Sequence, residues 1–208
     1  MAETYRFALV GNPNVGKSSL FNALTGLHQH TGNWPGKTVA TAAGTCSIDG
    51  AAVELIDLPG TYSLSARSPE EEVATEYISF GSADAVIVVC DATALERNLY
   101  LALQVMEITD HVVICVNLMD EAGKRGITVD LPRLSQLLGV RVVGTSARQK
   151  KTLPPLLRAA VAAAQGRHRK PVPVCYGEAI EAGLFSIEAR LDELLPGSMP
   201  NHRWIAMQ

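Results

Sequence analysis

Charge is sparse in this 208-residue chain: 19% of residues are charged and the formal net charge is −3. That balance gives no electrostatic case for nucleic acid as the main partner. Cysteine is limited to Cys46, Cys90, Cys115 and Cys175, each standing alone. Such isolation excludes a disulfide framework or a cysteine-based metal site and points to free thiols in a reducing compartment. No apolar run approaches the length needed to span a bilayer, and no secretory signal is visible. Internal repeats and low-complexity blocks are also missing. What remains is 47% hydrophobic, enough for one full globular domain with an appendage.

One stretch carries a specific chemistry. Gly11-Asn12-Pro13-Asn14-Val15-Gly16-Lys17-Ser18 fits G-x-x-x-x-G-K-[ST], follows the apolar run Phe7 to Val10 and precedes an amphipathic run from Ser19. This strand–loop–helix setting is what a phosphate-binding loop requires. Gly11 and Gly16 let backbone N–H groups turn inward around a phosphate, and the helix dipole adds positive charge. Lys17 is expected to reach the β- and γ-phosphates, and the Ser18 hydroxyl to bind Mg²⁺. Residues 12 to 19, Ser19 included, are therefore nucleotide-binding candidates.

Three later motifs narrow the nucleotide. Asp57-Leu58-Pro59-Gly60 ends the strand Ala52 to Ile56. Asp57 there can hold Mg²⁺, and the Gly60 N–H can meet the γ-phosphate. Asn117-Leu118-Met-Asp120 follows the apolar run from His111 to Val116 and resembles the guanine-reading motif of GTPases. The Asp120 carboxylate would accept from guanine N1–H and its exocyclic amino group. Adenine lacks that group, so discrimination of roughly 10⁴-fold is expected. Leu118 stands where Lys is usual. Thr145-Ser146-Ala147 ends the next apolar run and resembles the loop whose backbone N–H contacts guanine O6.

Alternating patterns predict strands near 5–11, 40–48, 52–57, 85–91, 111–117 and 140–145. Helices are predicted over 17–25, 69–80, 95–109, 130–138 and 153–165. Asp49-Gly50 marks a hairpin, and Ser68-Pro69-Glu-Glu71 is a helix start with Glu71 closing a capping box. The expected fold is α/β and Ras-like: a mostly parallel six-stranded sheet flanked by helices, with the ligand at the carboxyl ends of the strands. The domain is expected to cover 1–166. A basic, proline-containing break follows at Gly166 to Pro173, and 167–208 reads as the start of a helical domain that is cut off. There Ile180, Leu184, Ile187, Leu191 and Leu194 share one helical face.

Between the first helix and second strand lies Thr31-Gly32-Asn33-Trp34-Pro35-Gly36-Lys37-Thr38. With the G-N-P-N start, Asp57-Leu-Pro-Gly-Thr61-Tyr-Ser-Leu64, Ser68 to Glu71 and Asp91 to Leu99, this string resembles the cytosolic G domain of the bacterial ferrous iron transport protein B (FeoB) family. The resemblance covers essentially the whole chain, to Arg203-Trp204. It implies switch loops at Gly32 to Thr38 and at Asp57 to Thr61, with Thr38 on Mg²⁺ and the γ-phosphate. It also implies a membrane-embedded transporter region attached to this domain at the cytoplasmic face of the bacterial inner membrane. The partners expected are GTP and GDP, that membrane region and a further copy of the chain; nucleic acid is not expected.

The water-orienting Gln that Ras-like enzymes carry after D-x-x-G is absent, since Thr61 stands there. No arginine is placed as a finger, Arg67 being a distant candidate. Slow turnover is expected, below about 1–100 s⁻¹. The resemblance implies a replacement: K⁺ held by Asn14 and by backbone carbonyls of Gly32 and Trp34. The catalytic candidates are thus Lys17, Asn14, Thr38 and Gly60. His28 and His30 form a His-x-His pair open to an iron-sensing reading but more simply read as solvated, as does Lys37. Two alternatives stay open: a ribosome-assembly or tRNA-modification GTPase, and a module in which nucleotide occupancy alone is the signal.

Overall fold

A computed structural model describes residues 3–26, 29–34, 39–194 and 202–207. Its elements run β1 (Thr4–Gly11), α1 (Lys17–Thr25), β2 (Gln29–Asn33), β3 (Ala40–Ile48), β4 (Ala51–Asp57), α2 (Pro69–Phe80), β5 (Ala85–Asp91), α3 (Leu95–Ile108), β6 (Val112–Asn117), α4 (Met119–Lys124), α5 (Leu131–Leu138), β7 (Arg141–Gly144), α6 (Leu153–Ala164), α7 (Glu178–Leu194) and α8 (His202–Ala206).

The strands form one sheet in the order β2-β3-β4-β1-β5-β6-β7. The two pairs at the β2 end are antiparallel and the other four parallel. This is seven strands, where the sequence pattern indicates six. The additional strand, β2, is Gln-His-Thr-Gly-Asn, with no apolar alternation to reveal it. It pairs through its backbone with β3, Gly32 opposite Thr41, at the sheet edge where burial makes no demand on side chains. The short helix α4 is likewise absent from the sequence reading.

The continuously apolar strands are explained by two covered faces. Alternate residues Ala8, Val10, Val86, Val88, Ile114 and Val116 pack in the cluster with α2 and α3. Their neighbours Phe7, Leu9, Ile87, Val89, Val113 and Cys115 pack with α1 and α6. Each strand thus supplies both cores and leaves its carboxyl end free for loops. Asp49 and Gly50 hold φ of 49° and 87°, the left-handed pair of a tight hairpin, and β3 and β4 pair antiparallel from Ile48–Ala51 onward.

Ser68 caps α2 by accepting from the Glu71 N–H at 3.2 Å. Glu71 does not close the expected box on Ser68. Its carboxylate accepts from the Arg67 N–H at 3.0 Å and the Ser63 hydroxyl at 2.9 Å, which ties the loop after Gly60 to the helix.

Beyond α6 the chain turns back onto α3. Glu107, buried on α3, accepts from the Val174 N–H at 3.3 Å and pairs with Arg203 at 3.5 Å. Arg203 also pairs with Glu181 at 2.8 Å and donates to the Val174 carbonyl at 2.8 Å. Trp204 packs against the α3 core. Of the predicted apolar stripe on α7, Leu184 is buried, while Ile180, Ile187 and Leu194 are exposed.

Candidate nucleotide site

The loops after β1, β4, β6 and β7 meet at one rim of the sheet. Gly11 has no room for a side chain, since a Cβ there would lie 2.6 Å from the Val89 carbonyl. At Gly16 φ is +77° and a Cβ would lie 2.7 Å from Asn117 Nδ2, so sterics and conformation both demand glycine. Asn14 also adopts a left-handed conformation, φ 68°. A cavity of about 520 Å³ results, lined by Asn12, Pro13, Asn14, Gly16, Lys17, Ser18, Ser19 and Gly60.

Lys17 is buried at this cavity. Its ammonium donates to the Asp57 carboxylate and, at 2.6 Å, to the Leu58 carbonyl. Burial raises the Asp57 carboxyl above its ordinary range, and Lys17 opposes that shift. The Thr61 N–H donates to the Gly11 carbonyl at 3.2 Å, joining the D-L-P-G loop to the phosphate loop. Thr61's hydroxyl donates to Ser63 O at 2.7 Å, and Tyr62 lies under the Arg97 guanidinium, 4.6 Å from its ring centroid. Neither side chain lines the cavity. Arg67 lines a different cleft, toward Trp204.

A second cavity, about 370 Å³, adjoins at Ser19 and is lined by Asn117, Leu118, Asp120, Glu121, Ala147 and Arg148. Asn117 is fully buried and joins the two. Its Nδ2 donates to the carbonyls of Val15 at 3.1 Å and Gly16 at 3.4 Å. Its Oδ1 accepts from the Thr145 hydroxyl at 3.1 Å. Burial pushes the Cys115 thiol up to about 12; it stays protonated and donates to Thr145 Oγ1, 3.1 Å away. Ser146 Oγ accepts from the Asp120 N–H at 3.1 Å. The Asp120 carboxylate makes no bond to a described residue and lines this second cavity.

The predicted residues are therefore assembled with some redistribution of place. Asn12 to Ser19, Gly60, Asn117, Leu118, Asp120 and Ala147 come together, with Val15 beneath the loop in the core. Thr145 and Ser146 are buried and hold Asn117 and Asp120 rather than lining the pocket. Gly32 and Trp34 do not line the phosphate cavity; Trp34 N–H donates to Val39 O at 2.8 Å and its ring meets Tyr77 edge-on at 5.4 Å, a hydrophobic anchor. Pro35, Gly36, Lys37, Thr38 and His28 lie outside the described residues. His30 is exposed on β2, and no group of three or more potential metal ligands occurs among the described residues. Glu121 and Arg148 also line the second cavity, each directly following a motif residue.

Hard oxygen donors suit Mg²⁺, and the cavity offers the Ser18 hydroxyl and, buried without a partner among the described residues, Asn12 Oδ1, with the Asp57 carboxylate held behind them on Lys17. Asn14 is exposed in the same cavity, and its side chain is likewise unbonded to described residues.

A phosphate loop after the first strand, with an Asn/Asp loop after β6 bonded to its backbone, defines a G domain, the guanine-nucleotide form of the P-loop fold. A family model described as ferrous iron transport protein B matches residues 5–160, and the chain belongs to that family. It is 42% identical over 208 residues to the Fe(2+) transport protein A/Fe(2+) transporter FeoB fusion protein of Porphyromonas gingivalis, covering 98% of this chain and 24% of that protein. It is 38% identical over 187 residues to the Fe(2+) transporter FeoB of Legionella pneumophila, covering 88% and 25%. The chain thus spans about a quarter of the length of these relatives. The cytosolic domain of T. maritima FeoB in a GDP form superposes with a TM-score of 0.92 at 39% identity, covering 100% of this chain and 80% of that one. The GMPPNP form gives 0.91, covering 98% and 79%.

Proposed function

We propose that this chain is the GTP-binding and slowly GTP-hydrolysing switch of a ferrous iron uptake system, acting on an attached membrane region. The carrying observation is Asn117, which bonds the phosphate loop through Val15 and Gly16 while ending the strand that presents Asp120. A guanine base on Asp120 is thereby coupled to the phosphates. Family membership favours transport over the ribosome-assembly or tRNA-modification reading.

Each residue's part follows from its chemistry. Backbone N–H groups of residues 14 to 18 bind the phosphates, and Lys17 leaves Asp57 to meet the β- and γ-oxygens. Ser18, Asp57 and Thr38 would hold Mg²⁺, which when bound neutralises charge on the β- and γ-oxygens. The Gly60 N–H marks the γ-phosphate. Thr61, its hydroxyl committed to Ser63, has no group to orient water, so turnover is slow. Asn14 would hold K⁺, with switch I carbonyls at Gly32 and Trp34 moving in to complete the site; the unbonded Asn14 amide supports this role. The cation would supply positive charge where an arginine finger otherwise does.

The test is GTP turnover in matched KCl and NaCl, with Asn14→Ala alongside and ferrous iron uptake by the full-length transporter as a second readout. Potassium stimulation lost in the variant supports the assignment. Turnover near background in both salts, with uptake still dependent on GTP binding, would replace it by the occupancy reading, which the tethered Thr61 hydroxyl favours.

A further inference from the structure

The basic run Arg167 to Lys170 takes no part in the nucleotide site and lies at the opposite end of the sheet. Arg141 opens β7 in register with Val113, whereas Asn117 closes β6 at the nucleotide rim. Four residues of strand separate the two levels by about 13 Å. Here a cavity of about 470 Å³ is lined by Ser135, Gly139, Arg141, Arg167, His168 and Arg169.

Among the described residues no carboxylate lines this cavity. The guanidinium groups of Arg141, Arg167 and Arg169 form no ion pair or hydrogen bond with any described residue, while Lys170 is taken by Asp110 at 3.0 Å. His168 Nδ1 is buried and has no partner among the described residues; its ring lies 5.1 Å from that of His111, whose own Nδ1 faces the Ala163 carbonyl at 2.8 Å. Three unpaired cations and an orphaned imidazole nitrogen thus share one cavity.

The walls are held in place. Gly139 has φ 74°, and a Cβ there would lie 2.6 Å from the Lys170 carbonyl, so the segment after α6 is packed directly on the end of α5. The Val172 N–H donates to Leu138 O at 2.9 Å, the Gly139 N–H to Ser135 O at 3.0 Å, and the Arg167 N–H to Ala162 O at 2.8 Å. Basic residues often gather near helix C-termini to offset unpaired carbonyls. At these ends backbone donors already take several of those carbonyls, so the cations keep capacity for something else.

We propose that this cavity is a second anion site, taking a phosphate-bearing ligand through Arg141, Arg167 and Arg169, with the His168 imidazole as a further donor. Guanidinium forks match phosphate oxygens two at a time, and three cations with no carboxylate of a described residue among them favour a phosphate, as monoester, diphosphate or diester, over a simple carboxylate. A free phosphate compound and a phospholipid headgroup share that chemistry.

The experiment uses the chain saturated with GDP and Mg²⁺, so that the phosphate loop is filled. Pyrophosphate is titrated calorimetrically, and co-sedimentation is measured with phosphatidylglycerol and with phosphatidylcholine vesicles. The double variant Arg141→Gln/Arg169→Gln should bind the probe on the order of tenfold more weakly for each guanidinium removed, with GDP affinity and melting temperature unchanged. Arg167→Gln, on its own, is the second variant. The His168 ring signals should move with pyrophosphate in the parent chain and not in the double variant. Arginine-dependent pyrophosphate binding without vesicle binding assigns a soluble phosphate; arginine-dependent binding to the phosphatidylglycerol vesicles assigns a headgroup. The proposal is overturned if neither probe binds, or if the variants bind them as well as the parent does.

Discussion

Around the base pocket the supporting polar groups are bonded before any ligand arrives: Asn117 to Val15, Gly16 and Thr145, and Ser146 to the Asp120 N–H. One group, the Asp120 carboxylate, is left open. Around the γ-phosphate end the charges are paired with each other instead. Lys17 lies on Asp57 and Leu58, while Asn12 Oδ1 and the Asn14 side chain have no partner among the described residues. On the proposed function, reading a base would require little rearrangement, whereas receiving a triphosphate would require Lys17 and Asp57 to exchange partners. Specificity would then be stored in the packed framework, and activity would depend on what the phosphates and cations bring.

The largest effect expected from breaking this asymmetry is at Asp120. Asp120→Ala should lower the preference for GDP over ADP on the order of 10³-fold or more. Its melting temperature should stay near that of the parent, because the carboxylate bonds no described residue. Competition binding with both nucleotides checks this. If both affinities fell equally, Asp120 would be a structural residue and the asymmetry would be lost.

A smaller effect is expected one layer behind. Thr145→Val removes the hydroxyl that donates to Asn117 Oδ1 and accepts from Cys115, leaving a buried carbonyl oxygen unpaired. That costs about 1–3 kcal/mol, seen as a lower melting temperature in the ligand-free chain. If part of the loss falls on the Asn117 orientation, GDP affinity drops by up to about tenfold while the preference for guanine over adenine is kept. A parent-like melting temperature would show that the Thr145 bond does not support the framework.

Much of this was readable from residue order alone, for physical reasons that differ by element. The phosphate loop needs Gly11, Gly16 and Lys17 at set spacing because the backbone itself binds, so its local string reveals it. Asp49-Gly50 reveals a hairpin because few residue pairs tolerate two positive φ angles. By contrast β2 is held by backbone pairing at an edge, and its side chains carry no period. The Thr145-Ser146-Ala147 string suggests a backbone contact to the base; that the Thr145 and Ser146 side chains also serve Asn117 and Asp120 is revealed only by the pairing of β6 with β7. The Glu107–Arg203 pair joins residues far apart in the chain and leaves no local pattern.

That pair leads to the smallest effect, which bears on the phosphate side. Glu107 shares α3 with Gln104, whose side chain accepts from the Leu64 N–H at 2.9 Å in the loop that follows Gly60. The clamp of α8 therefore abuts the loop that follows Gly60, with Leu64, Gln104, Glu107 and Trp204 lining one cleft. Hydrogen bonds from Arg203, and then from the Tyr176 N–H, hold the Glu181 carboxyl down to about 2, against 4.5 when free. A depressed carboxylate stabilises the docked form fully above about pH 4.5 and progressively less as pH falls toward 2. In a Trp34→Phe background, Trp204 emission should therefore shift as pH drops through that window. Arg203→Gln should remove the pH-dependent part and leave guanine preference intact. An unchanged acid profile in Arg203→Gln would mean that α8 is held by Trp204 packing alone, and that acid reaches it only through unfolding of the whole domain.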